Sequence, residues 1–197
     1  PKGSEYLDEI HTSAHRLLAS IAKMLRYADA TAGKISYDID RHSIVDIAEI
    51  AIEQLASRAA QRDIIIESKA LASGAVMIDQ ASTTYALGCL IDNAINASPA
   101  HSRITVAGDR LDDGQYELRI IDKGVGMTKE QMRHAFEPFS QIGQVRTRTV
   151  EGVGLGLTLA RKILGDQGAV LSLQSAPGSG TTAAIRFSAI DTAAKAA

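Results

Sequence analysis

Four short stretches carry residue types that do chemistry when a fold brings them together. Asp92-Asn93-Ala94-Ile95-Asn96 sets two amides three positions apart within a helical pattern, so both lie on one face a turn apart. Asp122-Lys123-Gly124-Val125-Gly126-Met127 follows a β-patterned run and begins with a carboxylate. Gly152-Val153-Gly154-Leu155-Gly156-Leu157 opens another helical pattern, and Pro177-Gly178-Ser179-Gly180-Thr181-Thr182 lies between two β-patterned runs. Glycine lets backbone approach a ligand closely and take positive φ. A glycine-rich turn that opens a helix presents unpaired N–H groups to an anion, so residues 152–156 read as a phosphate cradle. Two nucleotide signatures are absent. There is no G-x-x-x-x-G-K-[ST], and the third position of a G-x-G-x-x-G begun at Gly154 and Gly156 is Leu159. Any one of these glycine clusters also fits an ordinary tight turn. Their order along the chain together with the Asn helix is what carries information.

The elements that must position these residues are legible from periodicity. Leu7, Ile10, Ala14, Leu17, Ile21, Met24 and Ala28 alternate in steps of three and four, a heptad seam broadened by Leu18 and Leu25. Ser4 is placed to cap this helix and Gly33 to end it, which gives about 45 Å of helix. Such a stripe needs a partner helix or a surface of its own domain. Beyond it the pattern predicts a strand over 35–40, a helix from Ser43 to about Gln61 and strands over 63–69 and 75–78. A helix follows over 79–97, ended by Ser98-Pro99. Residues 103–107 and 115–122 read as a hairpin about Asp112-Asp113-Gly114, and 169–175 and 182–187 as a second. The last helix covers about 155–166. Residues 123–153 form a long glycine-punctuated connection, the length expected of a lid or binding loop. Helices set against antiparallel strand pairs predict an α+β fold, a two-layer α/β sandwich behind a heptad-patterned helix.

Bulk properties narrow the classes. The chain has 197 residues, a net charge of −2 and 45% hydrophobic residues, which excludes general disorder and shows no basic excess for a nucleic-acid partner. Its one cysteine, Cys89, excludes an internal disulfide. No apolar run reaches the roughly 20 residues that span a bilayer. Together these predict a protein of the reducing cytoplasm, without membrane contact in this segment.

The ordered motifs resemble the catalytic half of sensor histidine kinases of two-component systems, which have the Bergerat nucleotide-binding fold. Leu90-Ile91-Asp92-Asn93-Ala94-Ile95-Asn96-Ala97-Ser98 resembles the N box and residues 122–127 the G1 box. Phe136-Glu137-Pro138-Phe139 resembles the F box, residues 152–157 the G2 box, and Gly178-Ser-Gly-Thr-Thr182 the terminal glycine motif. The likeness covers about residues 6–187. It implies ATP and Mg²⁺, with Asn93 as the metal ligand and Asp122 as acceptor for the adenine amino group. Gly124 and Gly126 would clear space beside the base, and Gly152, Gly154, Leu155 and Gly156 would lie along the phosphates. Thr182 would reach the adenine end through a water. Arg146 and Arg148, between the F and G2 boxes, would neutralise phosphate charge.

The sequence departs from the family in three places. Cys89 stands one turn before Asn93, where the family commonly has Asn and its ATPase relatives have a Glu that acts on water. Asn96 replaces a Lys or Arg, so it would bind a phosphate oxygen as a neutral donor. No H-E-x-R-T-P-like motif supplies a phosphoacceptor His. Residues 6–34, with Ser13-x-His15-x-Leu17-Leu18, resemble the second helix of the dimerisation hairpin. His11 and His15 share a helix face as ordinary flank residues without the zincin Glu.

The resemblance therefore implies a partial hairpin helix over 4–33, a catalytic ATP-binding domain over 35–190 and a frayed tail over 191–197. It implies a protein-histidine kinase that transfers the γ-phosphoryl of ATP to a His on a hairpin helix outside this chain, for relay to a response-regulator receiver domain. Homodimerisation would run through residues 7–28. Two alternatives remain open at this point: a degenerate kinase that holds nucleotide as a conformational or scaffold module, and a Bergerat ATPase or serine kinase.

Overall fold

A computed structural model describes residues 2–140 and 153–188. The chain opens with α1, Lys2–Thr31, so the helix begins ahead of Ser4, the residue expected to cap it. Gly33 does end it. Its φ of 66° is left-handed, Gly33 N–H donates to Ala30 at 3.3 Å and Lys34 N–H to Asp29 at 2.9 Å. This is the Schellman arrangement, which glycine adopts without a Cβ clash.

After α1 come β1 (Asp40–Ser43), α2 (Ile44–Ala60), β2 (Ile65–Leu71), β3 (Ala75–Ile78), α3 (Gln80–Ala97), β4 (Arg103–Arg110) and β5 (Tyr116–Ile121). They are followed by α4 (Lys129–His134), α5 (Gly156–Asp166), β6 (Val170–Ser175) and β7 (Thr181–Phe187). Ser43 caps α2 by accepting from Asp46 N–H at 3.3 Å, and Asp79 caps α3 by accepting from Ser82 N–H at 2.7 Å. The main sheet has the order β2-β4-β5-β7-β6, and β1 and β3 form a separate antiparallel pair. β2 and β4 run parallel. That direction follows from the β3–α3 crossover between them, since parallel neighbours cannot be joined by a tight turn.

Two layers result. The inner sheet face contributes Ile104, Val106, Leu118, Ile120, Ile185 and Phe187, all buried. Against it lie Leu87, Ile91 and Ile95 of α3, Leu159 and Ile163 of α5, and Ile44 and Ile47 of α2, also buried. The expected two-layer α/β sandwich is the observed fold. Tyr116 anchors one end of the sheet. Its hydroxyl donates to Ala72 O at 2.8 Å, and a Cβ on Gly74 or Gly108 would press into its ring, at 2.6 Å from Cδ2 and 2.9 Å from Cε1 respectively.

Two local expectations are corrected. The strand placed at 35–40 lies at Asp40–Ser43, paired with β3 from Asp40↔Ile78 to Ser43↔Ala75. The apolar alternation upstream serves packing instead: Ile35 and Tyr37 lie against the core, and Tyr37 Oη donates to Asp166 at 3.0 Å. The connection after residue 122 also contains α4, started by a reciprocal capping box between Thr128 and Gln131.

α1 is docked through residues of its C-terminal third. Ala30 is buried, Arg26 stacks 4.0 Å above the Tyr85 ring, and Tyr27 meets Phe139 edge-on at 6.5 Å. The seam further up is bare: Leu7 is 69% exposed, Ile10 65%, Leu17 63% and Ile21 44%. No helix among the described residues is long and apolar enough to cross a membrane.

Candidate functional site

The sheet carries Asp122 just past β5, and the β6–β7 turn folds over it. Asp122 N–H donates to Thr181 O at 2.9 Å. Its Oδ1 accepts from Gly124 N–H at 2.8 Å and Thr181 N–H at 3.1 Å. Oδ2 has no hydrogen bond among the described residues, so the carboxylate is fixed through one oxygen and offers the other. Burial pushes its pKa up, and the two N–H donors oppose that shift.

Around Asp122 the glycines are placed where side chains do not fit. A Cβ on Gly124 would lie 2.5 Å from Ala97 O. Gly126 has φ +64° and Gly180 φ +77°; a Cβ there would run into the carbonyls of Ala176 and Asp122 respectively. Gly178 N–H donates to Val125 O at 2.7 Å, and Met127 N–H to Ser175 Oγ at 2.8 Å. Ser175 Oγ in turn donates to Gly180 O at 2.8 Å and meets Thr181 Oγ1 at 3.0 Å. The loop after β5 and the β6–β7 turn are thus one bonded unit with Asp122 in its wall.

A second cluster forms where α3 meets the start of α5. Asn93, half-buried, faces Gly156: a Cβ there would stand 3.4 Å from both Nδ2 and Oδ1 of the amide. Leu155 precedes the helix as its N-cap, is buried and gives no side-chain cap. Among the described residues the first N–H groups of α5 therefore have neither intrahelical nor side-chain capping partners. The helix end carries partial positive charge, and no acidic residue in its first turn offsets it. Gly154 turns the chain into this helix at φ +71°, and its carbonyl accepts from Phe139 N–H at 3.0 Å. Phe136 is held from the other side by Thr158 Oγ1, which donates to its carbonyl at 3.0 Å, and by Arg161 at 4.7 Å from its ring.

The structure thus brings Asp122, Gly124 and Gly126 into one unit and Asn93, Gly154, Leu155 and Gly156 into another. Asn96 lies a turn beyond Asn93, its Oδ1 already accepting from Arg58 and Arg62 at 3.2 and 3.0 Å. Thr182 is not brought in. Strand alternation, set by the pairs Thr182↔Ile121 and Thr182↔Gln174, puts it on the sheet face opposite buried Ala183 and Ile185. Its neighbour Thr181, missed in the sequence, makes the contacts to Asp122. A one-residue shift in where the strand begins decides between them. Arg146, Arg148 and Gly152 lie outside the described residues.

Cys89 is buried and its thiol is pushed up to about 11, by burial foremost, so it is neither thiolate nor base at neutral pH. His11 and His15 face each other on exposed α1 with their Nε2 atoms 3.2 Å apart. Among the described residues no three His, Cys, Asp or Glu side chains gather in a metal-binding group. An amide oxygen beside an uncapped helix start would still suit Mg²⁺, which takes few protein oxygens and keeps several waters.

The comparisons with known proteins bear on the family and the fold. The family model described as "Histidine kinase-, DNA gyrase B-, and HSP90-like ATPase" matches residues 78–190. Sensor histidine kinase YkoH of Bacillus subtilis is 32% identical over 184 residues, covering 93% of this chain and 39% of YkoH. The non-motile and phage-resistance protein of Caulobacter vibrioides is 29% identical over 180 residues, covering 90% of this chain and 21% of that protein. The chain thus spans well under half the length of these two relatives. The Acinetobacter baumannii histidine kinase AdeS superposes with a TM-score of 0.71 at 20% identity, over 94% of this chain and 82% of that one. Full-length ShkA in complex with AMPPNP gives 0.80 at 19%, over 95% and 39%. These two likenesses are of fold. With the match covering more than half of its residues, the chain belongs to the histidine kinase-, DNA gyrase B- and HSP90-like ATPase family, as a histidine-kinase catalytic ATP-binding domain.

Proposed function

We propose that this domain binds Mg²⁺-ATP and transfers the γ-phosphoryl group to a His on a hairpin helix outside the chain, for relay to a receiver-domain Asp. The observation that carries the reading is the uncapped start of α5 facing the Asn93 amide across Gly156. A polyphosphate is the ligand class that uses both: the N–H groups take its oxygens and the helix dipole its charge. Asp122 Oδ2 accepts from the adenine amino group, an interaction guanine cannot make because it presents a carbonyl there. A Mg²⁺ ion held by Asn93 Oδ1 would supply charge neutralisation on the phosphates.

The chain's own part in transfer is positioning. Backbone N–H groups hold the β- and γ-phosphates so that an imidazole nitrogen attacks phosphorus in line. The bond to the β–γ bridging oxygen breaks and ADP leaves. Nothing at Cys89 activates water, which fits transfer to protein better than hydrolysis. Homodimerisation through residues 7–28 would cover the bare seam of α1, with residues 4–33 as part of the hairpin and 35–190 as the catalytic unit. The test supplies a hairpin helix that carries a phosphoacceptor His, with γ-labelled ATP. Acid-labile, base-stable label on that helix, lost in Asn93→Ala, supports the reading; ATP bound tightly with no label transferred would replace it with the scaffold alternative. That alternative draws on buried Cys89 and on Asn96, which differ from the family's usual residues.

A further inference from the structure

α3 contains no lysine or arginine, and the first turn of α5 contains none either. Cations for a polyphosphate lying between these helices must come from elsewhere. The structure shows two of them held one turn from Asn93. Asn96 Oδ1 accepts from Arg62 Nη1 at 3.0 Å and from Arg58 Nη2 at 3.2 Å. Arg58 is the basic residue in the last turn of α2, and Arg62 lies just beyond that helix. Arg58 Nε also lies 2.7 Å from Asp92 Oδ1, and Lys23 Nζ lies 3.5 Å from Asp92 Oδ2.

Lys23 and Arg58 both meet the Asp92 carboxylate, and Arg62 is held beside them through the Asn96 amide. Arg62 is exposed and meets no carboxylate among the described residues; its partner is the Asn96 amide. A neutral amide oxygen orients a guanidinium without neutralising it. The groups that match the guanidinium fork are carboxylate and phosphate. Residues three apart on a helix have Cβ atoms roughly 5–6 Å apart, so a phosphate at Asn93 lies within reach of a guanidinium anchored on Asn96.

We infer that Arg62, with Arg58 beside it, contacts the phosphates of the bound nucleotide, and that Asn96 is a positioning residue that holds the pair toward Asn93. The ligand class is a nucleoside di- or triphosphate. This rests on the reading of Asn93, Asp122 and Gly156 as the ATP site, and it adds a cation source from a different helix.

The test measures binding of ATP, ADP and adenosine to the full chain with Mg²⁺, by displacement of a fluorescent ATP analogue, at two salt concentrations. Arg62→Ala is expected to weaken ATP about 3- to 10-fold, leave adenosine unchanged and reduce the salt dependence of ATP binding. Arg62→Lys retains most of the affinity. The double variant Arg62→Ala/Asn96→Lys recovers it, because the cation is then supplied from α3 itself. Wild-type ATP affinity in Arg62→Ala, or an equal loss for adenosine, overturns the inference and leaves the site reading intact. A wild-type chain that binds no nucleotide overturns the site reading and this inference with it.

Discussion

Gly156, the first residue of α5, faces the Asn93 amide with a gap that an added methyl would just occupy, 3.4 Å from both Nδ2 and Oδ1. That distance is ordinary contact, and Gly156 has no left-handed φ. Gly156→Ala is therefore accommodated by the nucleotide-free protein and lowers the entropy of the unfolded chain. The expected outcome is unchanged or slightly raised stability in urea, by roughly 0.4–1 kcal/mol. ATP affinity falls by about tenfold or more because the methyl stands between the helix end and the phosphates. A variant that gains stability and keeps affinity would argue against phosphates at this helix end.

Asp122 commits Oδ1 to the N–H groups of Gly124 and Thr181 and leaves Oδ2 without a hydrogen bond among the described residues, and two substitutions separate the roles of the two oxygens. Asp122→Asn keeps an acceptor for Gly124 and Thr181 and replaces the free oxygen with a donor, which repels the adenine amino group. It is expected to abolish ATP binding and fold normally, whereas Asp122→Ala loses both binding and stability. The pH dependence has a definite sign. Burial raises the Asp122 pKa in the folded state, so the ionised carboxylate is disfavoured there relative to the unfolded chain. Asp122→Asn should match or exceed the wild type in stability at neutral pH. The difference should shrink as pH falls through the raised pKa and the wild-type carboxyl takes up its proton. A gap that widens on acidification contradicts this.

Tyr116 is clamped between two glycines and cannot retreat, being 3% exposed and hydrogen-bonded to Ala72 O. Gly108→Ala pushes a methyl into its ring. The expected loss is about 1–3 kcal/mol, read as a lower urea midpoint with an unchanged slope.

The bare seam of α1 predicts self-association. Leu17→Glu/Ile21→Glu should leave ATP binding unchanged and convert the chain to monomer in sedimentation equilibrium. A wild type that stays monomeric at high micromolar concentration would remove the seam from the dimer reading.

Much of this was legible in the sequence because it depends on local chemistry. Gly33 ends α1, Ser43 and Asp79 start α2 and α3, and the glycines at 124, 126, 154 and 156 stand where backbones or side chains crowd. What was hidden depends on neighbours remote in sequence. The 35–40 segment alternates like a strand, yet β3 pairs with the residues after it. The parallel β2–β4 pair is fixed by a crossover that no pattern within either strand announces. Thr181 and Thr182 are chemically identical in the sequence. Only the registers with β5 and β6 decide which of them reaches Asp122. α4, with 6 residues, is too short for periodicity to reveal, and its Thr128-x-x-Gln131 capping box lies within the long glycine-punctuated connection.

The bond from Thr181 N–H to Asp122 Oδ1 joins residues 59 positions apart. On a ribosome that separation is also a delay. Until the last hairpin emerges, Asp122 has lost one of its two donors, and the cover that Gly178 and Ser175 provide is absent. The wall around Asp122 is therefore a late product of synthesis. A nascent chain truncated before β7 would carry Asn93 and the α5 helix end but not the turn that bonds to Asp122. Nucleotide would then bind only after release of the hairpin, and would stabilise the completed fold by about 2.7 kcal/mol at a hundred times its dissociation constant.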